Sequence, residues 1–417
     1  MRHVLSACLV ILLAHQPVHA QGSSPKPRAR EIGVTALIGG TAGALDAITD
    51  VAGVEVGHTT LISGSGPLVV GTGPVRTGVT IIHPRGKASA DPVMGAWFTL
   101  NGNGEMTGTT WLQESGWLEG PIGITNTHSV GVVRDAILQW QVKRPGLQPW
   151  GLPVVAETYD GRLNDINGFH VTPEHARSAL EGATTGVVLE GNVGGGTGMV
   201  CHGFKGGIGT ASRKLPTAAG GYTVGVLVQC NYGARQELRI AGVPVGEETL
   251  DIVTCSASRD PSVMPAMPRC GSATSRVPSS PANAGERDAG LGSIIIVVAT
   301  DAPLLPHQLK RIATRASLGV GRMGGRGENS SGDIFVAFST ANAHTSADTG
   351  LANVTMLPNA RINPLFGATI QATEEAIVNA LLAAETMTGA NDVRVPALPR
   401  DRLAAAMRKY GRPISVP

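Results

Sequence analysis

The sequence predicts an α/β fold in which sheets are covered by helices, and three observations lead there. Short apolar runs bounded by Gly, Asn and Asp recur from about residue 33 onward, the pattern of strands and turns. After residue 291, near-continuous apolar strands alternate with amphipathic helices in the order β-α-β-α, as expected of sheets buried on both faces. Glycine occurs 56 times while aromatics make up only 4% of the chain, which favours tight turns and close backbone approach. With 417 residues, 42% apolar and 15% charged, the chain can bury a substantial core. Its net charge of +2, with no basic block beyond the N-terminus, lacks the footprint of a nucleic-acid binder.

The elements follow in order. Arg2, the apolar run Val4 to Ala14 and the small residues Val18 and Ala20 read as a signal peptide over 1–20, so the mature chain is expected to be periplasmic or secreted and free of the membrane. Residues 21–32 form a polar lead-in. LVVGTGPVRTGVTIIHP (68–84), PIGITNTHSVGVV (121–133), TTGVVLE (184–190), GYTVGVLVQCN (221–231) and LDIVTCSAS (250–258) read as strands. VRDAILQWQVKRP (133–145) and TPEHARSALEG (172–182) read as helices, the second with Thr172 as cap and Pro173 at the first position. Residues 256–291 are dominated by Pro, Ser, Gly and Ala without a hydrophobic period, and are expected to be a linker. Order returns with the strand SIIIVVAT (293–300), a helix over 304–318, the strand GDIFVAFST (332–340) and a helix over 373–389 closing on Gly389. Cys201 and Cys230 read as small buried hydrophobes, whereas Cys255 and Cys270 could close a short disulfide loop.

The usual catalytic signatures are missing. No GxSxG elbow or HExxH occurs, and the one SxxK, Ser23 to Lys26, lies in the lead-in. A serine can also be activated by its own α-amine, whose ordinary pKa is about 8, once the peptide bond before it is cut. Gly292-Ser293, at the end of the linker and the start of a strand, has that layout, and Gly292 opposes the necessary bend least. Ser331 and Asp333 lie at i and i+2 leading into the next strand. Their side chains would share one face. A helix crossover between the two strands allows them to lie side by side, so Ser331 is expected to bond the Ser293 hydroxyl while Asp333 holds Ser331 or the new ammonium. EGNVGGGTG (190–198) lacks a phosphate-loop ending and is assigned to close packing.

Several long motifs carry a family resemblance: NGNGEMTG (101–108), PVVAETYDGRLND (153–165), EGNVGGGTGM (190–199), FKGGIGTASR (204–213), VLVQCNYG (226–233), GSIIIVVATDAPLLP (292–306) and SSGDIFVAFST (330–340). Over roughly 33–410 the chain resembles the DmpA-like L-aminopeptidase/D-esterase and β-aminopeptidase family, peptidase family S58. The resemblance implies a four-layer α/β/β/α sandwich of N-terminal-nucleophile type, formed by one domain over 33–417 and self-cleaved into 21–292 and 293–417. Ser293 would be the nucleophile freed by cleavage after Gly292, with Ser331 and Asp333 assisting. Glu157 would bind the free amine of the substrate, and Asn231 and Tyr159 would stabilise the oxyanion. The implied substrates are short peptides and amino acid amides or esters, of α or β type. No metal or cofactor is called for, and the implied assembly is a tetramer of cleaved heterodimers.

Two other readings remain: an acyltransferase of the ornithine acetyltransferase type, and a non-catalytic periplasmic binding protein. The mass of the denatured protein separates the last from the rest. Purified active material is expected to resolve into two fragments, the second beginning Ser-Ile-Ile-Ile, and Ser293→Ala is expected to stay as one inactive chain; a cut Ser293→Ala chain would sink self-cleavage at this bond.

Overall fold

Two sheets face each other across an apolar seam, and each carries a pair of helices on its outer side. The structure, a computed structural model, describes residues 27–144, 150–260, 262, 264, 267–271, 292–346 and 349–415. The expected signal peptide, the first half of the lead-in and most of the linker lie outside the described residues.

In chain order the strands are β1 (Glu55–Ser63), β2 (Val75–His83), β3 (Val93–Thr99), β4 (Trp117–Leu118), β5 (Ile122–Asn126), β6 (Val154–Thr158), β7 (Val200–Cys201), β8 (Phe204–Lys205), β9 (Gly207–Lys214), β10 (Thr223–Asn231), β11 (Cys255–Ser256), β12 (Ser293–Thr300), β13 (Asp333–Ser339), β14 (Met387–Thr388) and β15 (Val393–Val395). The α-helices are α1 (Val34–Ile38), α2 (Thr109–Ser115), α3 (Val130–Gln141), α4 (Pro173–Gly182), α5 (Pro306–Arg322), α6 (Asn363–Ala383) and α7 (Arg400–Lys409). One sheet runs β1-β2-β5-β6 and the other β4-β3-β13-β12-β10-β9. Strand β12 explains the apolar run that the sequence presents. Its Ile295, Val297 and Ala299 enter the core between the sheets, with Ile124 and Ala156 opposite. Its Ile294, Ile296 and Val298 enter the outer core under α5 and α6. A strand buried on both faces has no polar alternation to show. Val79, Ile81 and Val155 meet α3 and α4 on the far side, completing the four-layer α/β/β/α sandwich.

Gly209 on β9 marks how closely α6 lies on the sheet: a Cβ there would stand 2.0 Å from the carbonyl oxygen of Ala376. The glycines of EGNVGGGTG likewise permit close packing, since a Cβ on Gly194, Gly195 or Gly196 would come within 2.4, 2.2 or 2.5 Å of Thr80, Gln229 or Ile208.

Several expected elements differ. TTGVVLE is not a strand: Thr184 bridges Val56, then Gly186 turns at φ 97° and Val187 and Leu189 stand exposed. In LDIVTCSAS only Cys255–Ser256 pairs, with β15; the Arg235 guanidinium takes the carbonyls of Thr249 and Ile252 in place of a ladder. Helix α6 starts at Asn363 rather than Thr373, with Pro364 in its first turn where the missing N–H is tolerated, and it ends at Ala383 rather than Gly389. The linker is partly tied down as well. Cys255 and Cys270 form a disulfide, and Ser256 exchanges backbone bonds with Pro268 and Cys270. Cys201 and Cys230, expected as free buried residues, are joined in a second disulfide.

The packed body also begins before residue 33, because Ala29 and Ile32 are fully buried. Arg28 pairs with Glu190 at 2.8 Å and Asp46 at 3.7 Å, and Arg213 pairs with Glu375 at 2.5 Å. Two cations facing three carboxylates leave one negative charge in excess. Burial, with the Glu375 carboxylate adding to it, pushes Asp46 up to about 8, which favours one proton held between these two carboxylates and so a balanced cluster.

Gly209→Ala is expected to force α6 from the sheet at a cost of about 1–3 kcal/mol, read as a thermal midpoint lower by several degrees. An unchanged midpoint would mean that the helix is not seated on β9 as described.

Candidate active site

Ser293 is the first residue of β12, and the strands on either side bring its neighbours. Antiparallel pairing with β10 sets Asn231 opposite Ser293, and parallel pairing with β13 sets Asp333 opposite Ile294. Gly292 just before it has φ 140°, and a Cβ there would fall 1.8 Å from the Asn231 carbonyl oxygen. Only glycine fits between the strands at that point.

The Ser293 hydroxyl is buried and its oxygen accepts the Gly332 N–H at 3.0 Å. A backbone donor on this oxygen favours the alkoxide over the alcohol. The Ser331 hydroxyl donates to Asp333 Oδ1 at 2.5 Å, so it bonds the carboxylate and not, as the sequence led us to expect, Ser293. The carboxylate, which can carry charge, is the stronger acceptor. Asp333 Oδ1 also accepts the Ile294 N–H at 3.3 Å, one residue from the nucleophile. Burial pushes Asp333 up to about 6, against the opposing pull of Ser331, Ile294 and Asn101.

Glu157, near the end of β6, is buried. Its Oε1 accepts the Glu105 N–H at 3.1 Å and its Oε2 the Thr127 hydroxyl at 2.5 Å. Burial raises its pKa, with the two hydrogen bonds working the other way. A desolvated carboxylate without a cation among these partners is suited to an ammonium guest.

The loop 101–105 joins the two halves. Asn101 Oδ1 accepts the Asp333 N–H at 2.6 Å, and a Cβ on Gly104 would lie 3.0 Å from Gly332 Cα and 3.2 Å from Glu157 Oε1. The loop backbone therefore passes between the nucleophile's donor and the carboxylate. Asn101, Gly104, Thr127 and Gly332 received no role from the sequence. The repeated Asn-Gly of NGNG, a turn-forming pattern, was the available signal for two of them.

Asn231 is clamped at both ends of its amide: Oδ1 accepts the Val200 N–H at 2.7 Å and Nδ2 donates to the Tyr159 carbonyl at 2.9 Å. An amide nitrogen carries two hydrogens. One is thus taken by Tyr159, and the other is available for a substrate. The Tyr159 side chain itself is 53% exposed, and its hydroxyl lies over Gly161, where a Cβ would approach to 2.3 Å. The structure brings Ser293, Ser331, Asp333 and Asn231 together and places Glu157 across the 101–105 loop, while the Tyr159 hydroxyl is turned to Gly161. Such a constellation can carry acyl transfer: a polarised hydroxyl, a neighbouring carboxylate and an amide donor at one strand end.

The four-layer sandwich and the serine heading a buried central strand define a hydrolase of the N-terminal-nucleophile type. The chain belongs to peptidase family S58, whose family pattern matches residues 46–395. It is 54% identical over 404 residues to the beta-peptidyl aminopeptidase BapA of Sphingosinicella microcystinivorans, covering 96% of this chain and 97% of that protein. The solved β-aminopeptidase of a Burkholderia species superposes with a TM-score of 0.77 at 46% identity, covering 92% of this chain and 99% of that one. The L-aminopeptidase D-Ala-esterase/amidase of Ochrobactrum anthropi, described as a variant of the Ntn hydrolase fold, superposes with a TM-score of 0.78 at 43% identity over 93% of this chain and 99% of that one.

Asp333 is a carboxylate above about pH 6 and neutral below it. If it organises Ser331 and the start of β12 as a charge, cutting of the intact chain at Gly292-Ser293 is expected to slow as pH falls through about 6, and Asp333→Asn is expected to abolish that limb. A wild-type rate flat from about pH 7 to about pH 5, one unit either side of that pKa and followed by denaturing gels, would exclude Asp333 as the titrating group.

Proposed function

We propose that the chain is a self-activating serine aminopeptidase that releases N-terminal residues from short peptides and from amino acid amides and esters. The observation that carries this reading is Ser293 at the head of β12, preceded by a glycine at φ 140° where a Cβ would press on the Asn231 carbonyl, and flanked by Asn231 and Asp333. In the activating step the Ser293 hydroxyl attacks the Gly292 carbonyl carbon, and the Gly292–Ser293 C–N bond breaks. The serine proton passes to the departing nitrogen. Water then hydrolyses the ester, leaving a Gly292 carboxylate and a free Ser293 amine. The two chains, 21–292 and 293–417, stay joined through the sheet, since β12 remains paired with β10.

In turnover the same hydroxyl attacks the substrate carbonyl, and the new α-amine takes its proton and passes it to the departing amine or alcohol as that bond breaks. Water then hydrolyses the ester on Ser293, releasing the N-terminal residue and restoring the hydroxyl. An α-amine of pKa about 8 is partly neutral at physiological pH, as a base must be. Asn231 supplies an oxyanion donor, and Glu157 holds the substrate ammonium. Tyr159 contributes to oxyanion binding only if its ring swings from Gly161 when substrate enters. The names of the 54% and 46% identical relatives favour β-amino acids at the released position. Export of the chain is supported by its apolar N-terminal run and by two disulfides, which persist in oxidising compartments. A tetramer of cleaved heterodimers is the expected assembly.

A panel of L-α-, D-α- and β-aminoacyl p-nitroanilides tests the substrate class. Against the best of them, Glu157→Gln is expected to raise KM by roughly 10-fold or more, the worth of a charge-assisted hydrogen bond, with a smaller change in kcat. An unchanged KM would remove Glu157 from ammonium recognition.

A further inference from the structure

We infer that Lys205 is a positioning residue that aims the Asn231 amide at the oxyanion. The inference rests on the reading of Asn231 as the oxyanion donor.

Lys205 on β8 is fully buried, which lysine almost never is without a dedicated set of partners. Its ammonium donates to the carbonyl oxygens of Gly196 at 3.3 Å, Met199 at 2.9 Å and Gly206 at 2.9 Å, which uses all three hydrogens. The Met199 carbonyl and the Val200 N–H belong to one planar peptide unit and point in opposite directions. That oxygen, which also accepts the Gly206 N–H at 2.9 Å, is thereby held by two donors, and holding it fixes the direction of the Val200 N–H, the donor to Asn231 Oδ1 at 2.7 Å. A cation on the carbonyl end of a peptide also polarises its N–H, strengthening the bond to Asn231.

The other end of the amide is held in a matching way. Its Nδ2 donates to the carbonyl of Tyr159, and the next residue, Asp160, is fully buried and bonded by Asn164 at 3.0 Å. The two anchoring segments touch, since a Cβ on Gly198 would stand 2.8 Å from Asp160 Cβ. Burial pulls Lys205 down to about 7 and pushes Asp160 up to about 7, and where Asp160 is ionised its charge favours the Lys205 ammonium. The Cys201–Cys230 disulfide joins the residue after Val200 to the residue before Asn231, so the same two strands are also linked covalently. With its oxygen and one hydrogen fixed, the amide has a single direction left for its second hydrogen.

The test is a double-mutant cycle in the full chain, with an aminoacyl p-nitroanilide as substrate: wild type, Lys205→Met, Asn231→Ala and the pair. Lys205→Met is expected to lower kcat roughly 10- to 100-fold, a part of what loss of an oxyanion donor costs, with KM nearly unchanged. In the Asn231→Ala background the same change should alter kcat by less than about twofold, because coupled residues do not add. Equal losses in both backgrounds, or none in the wild-type background, overturn the inference. Lys205→Gln, which keeps an uncharged donor, should recover part of kcat, and it carries the cycle alone if Lys205→Met does not fold. Where a variant is isolated partly uncut, the rate at which its intact chain converts to the Ser293-headed fragment is read in place of kcat, and a chain that never converts counts as complete loss. An unaltered rate in Asn231→Ala overturns the oxyanion reading itself, and a loss in Asn231→Ala without one in Lys205→Met overturns only the role of Lys205.

Discussion

The pairing of β12 between β10 and β13 is the constraint on which the rest of the structure depends. The ladder on one side is antiparallel and on the other parallel, and both registers end at the same place. Asn231 is the last residue of its strand, Ser293 the first and Asp333 the first. Three side chains from distant parts of the chain therefore meet at one rim of the sheet. Because β12 is buried on both faces, its first residue cannot move far without disturbing two apolar layers.

Rigidity at that rim suits the proposed self-cleavage. Attack by a hydroxyl on the preceding carbonyl is an intramolecular step whose rate rests on geometry held before reaction. The Gly332 N–H on the Ser293 oxygen, the Asn231 carbonyl packed against Gly292 and the carboxylate bonded to the Ile294 N–H all restrict the same few bonds. None of the three strands has to bend to form the site.

The electrostatics separate two tasks. Glu157 and Asp333 are both buried carboxylates raised by desolvation, yet they stand on opposite sides of the 101–105 loop. One is held by the Glu105 N–H and the Thr127 hydroxyl with no cation between them, and the other is bonded at the serine end of β12. Away from the site, the Arg28, Asp46, Glu190, Arg213 and Glu375 cluster fastens the first described residues to the sandwich, with no part in that chemistry.

Much of this was legible in the chain itself. The continuous apolar run after Gly292-Ser293 pointed to a buried central strand with Ser293 at its head, because a strand covered on both faces has no polar alternation to show. The i, i+2 spacing of Ser331 and Asp333 determined that they share a side, and their hydrogen bond follows from it. What the sequence could not determine was which groups face them from elsewhere. The Gly332 N–H in place of the Ser331 hydroxyl on the Ser293 oxygen, the Asn101 contact with Asp333, the inward turn of Lys205 and the Cys201–Cys230 link all depend on strand order and register. Those are decided by long-range pairing, which leaves no local pattern in composition or spacing. Tertiary packing likewise decided the fates of TTGVVLE and LDIVTCSAS: each keeps only a short pairing, Thr184 with Val56 and Cys255–Ser256 with β15, while the chain turns at Gly186 in the first and the Arg235 guanidinium takes the Ile252 carbonyl in the second.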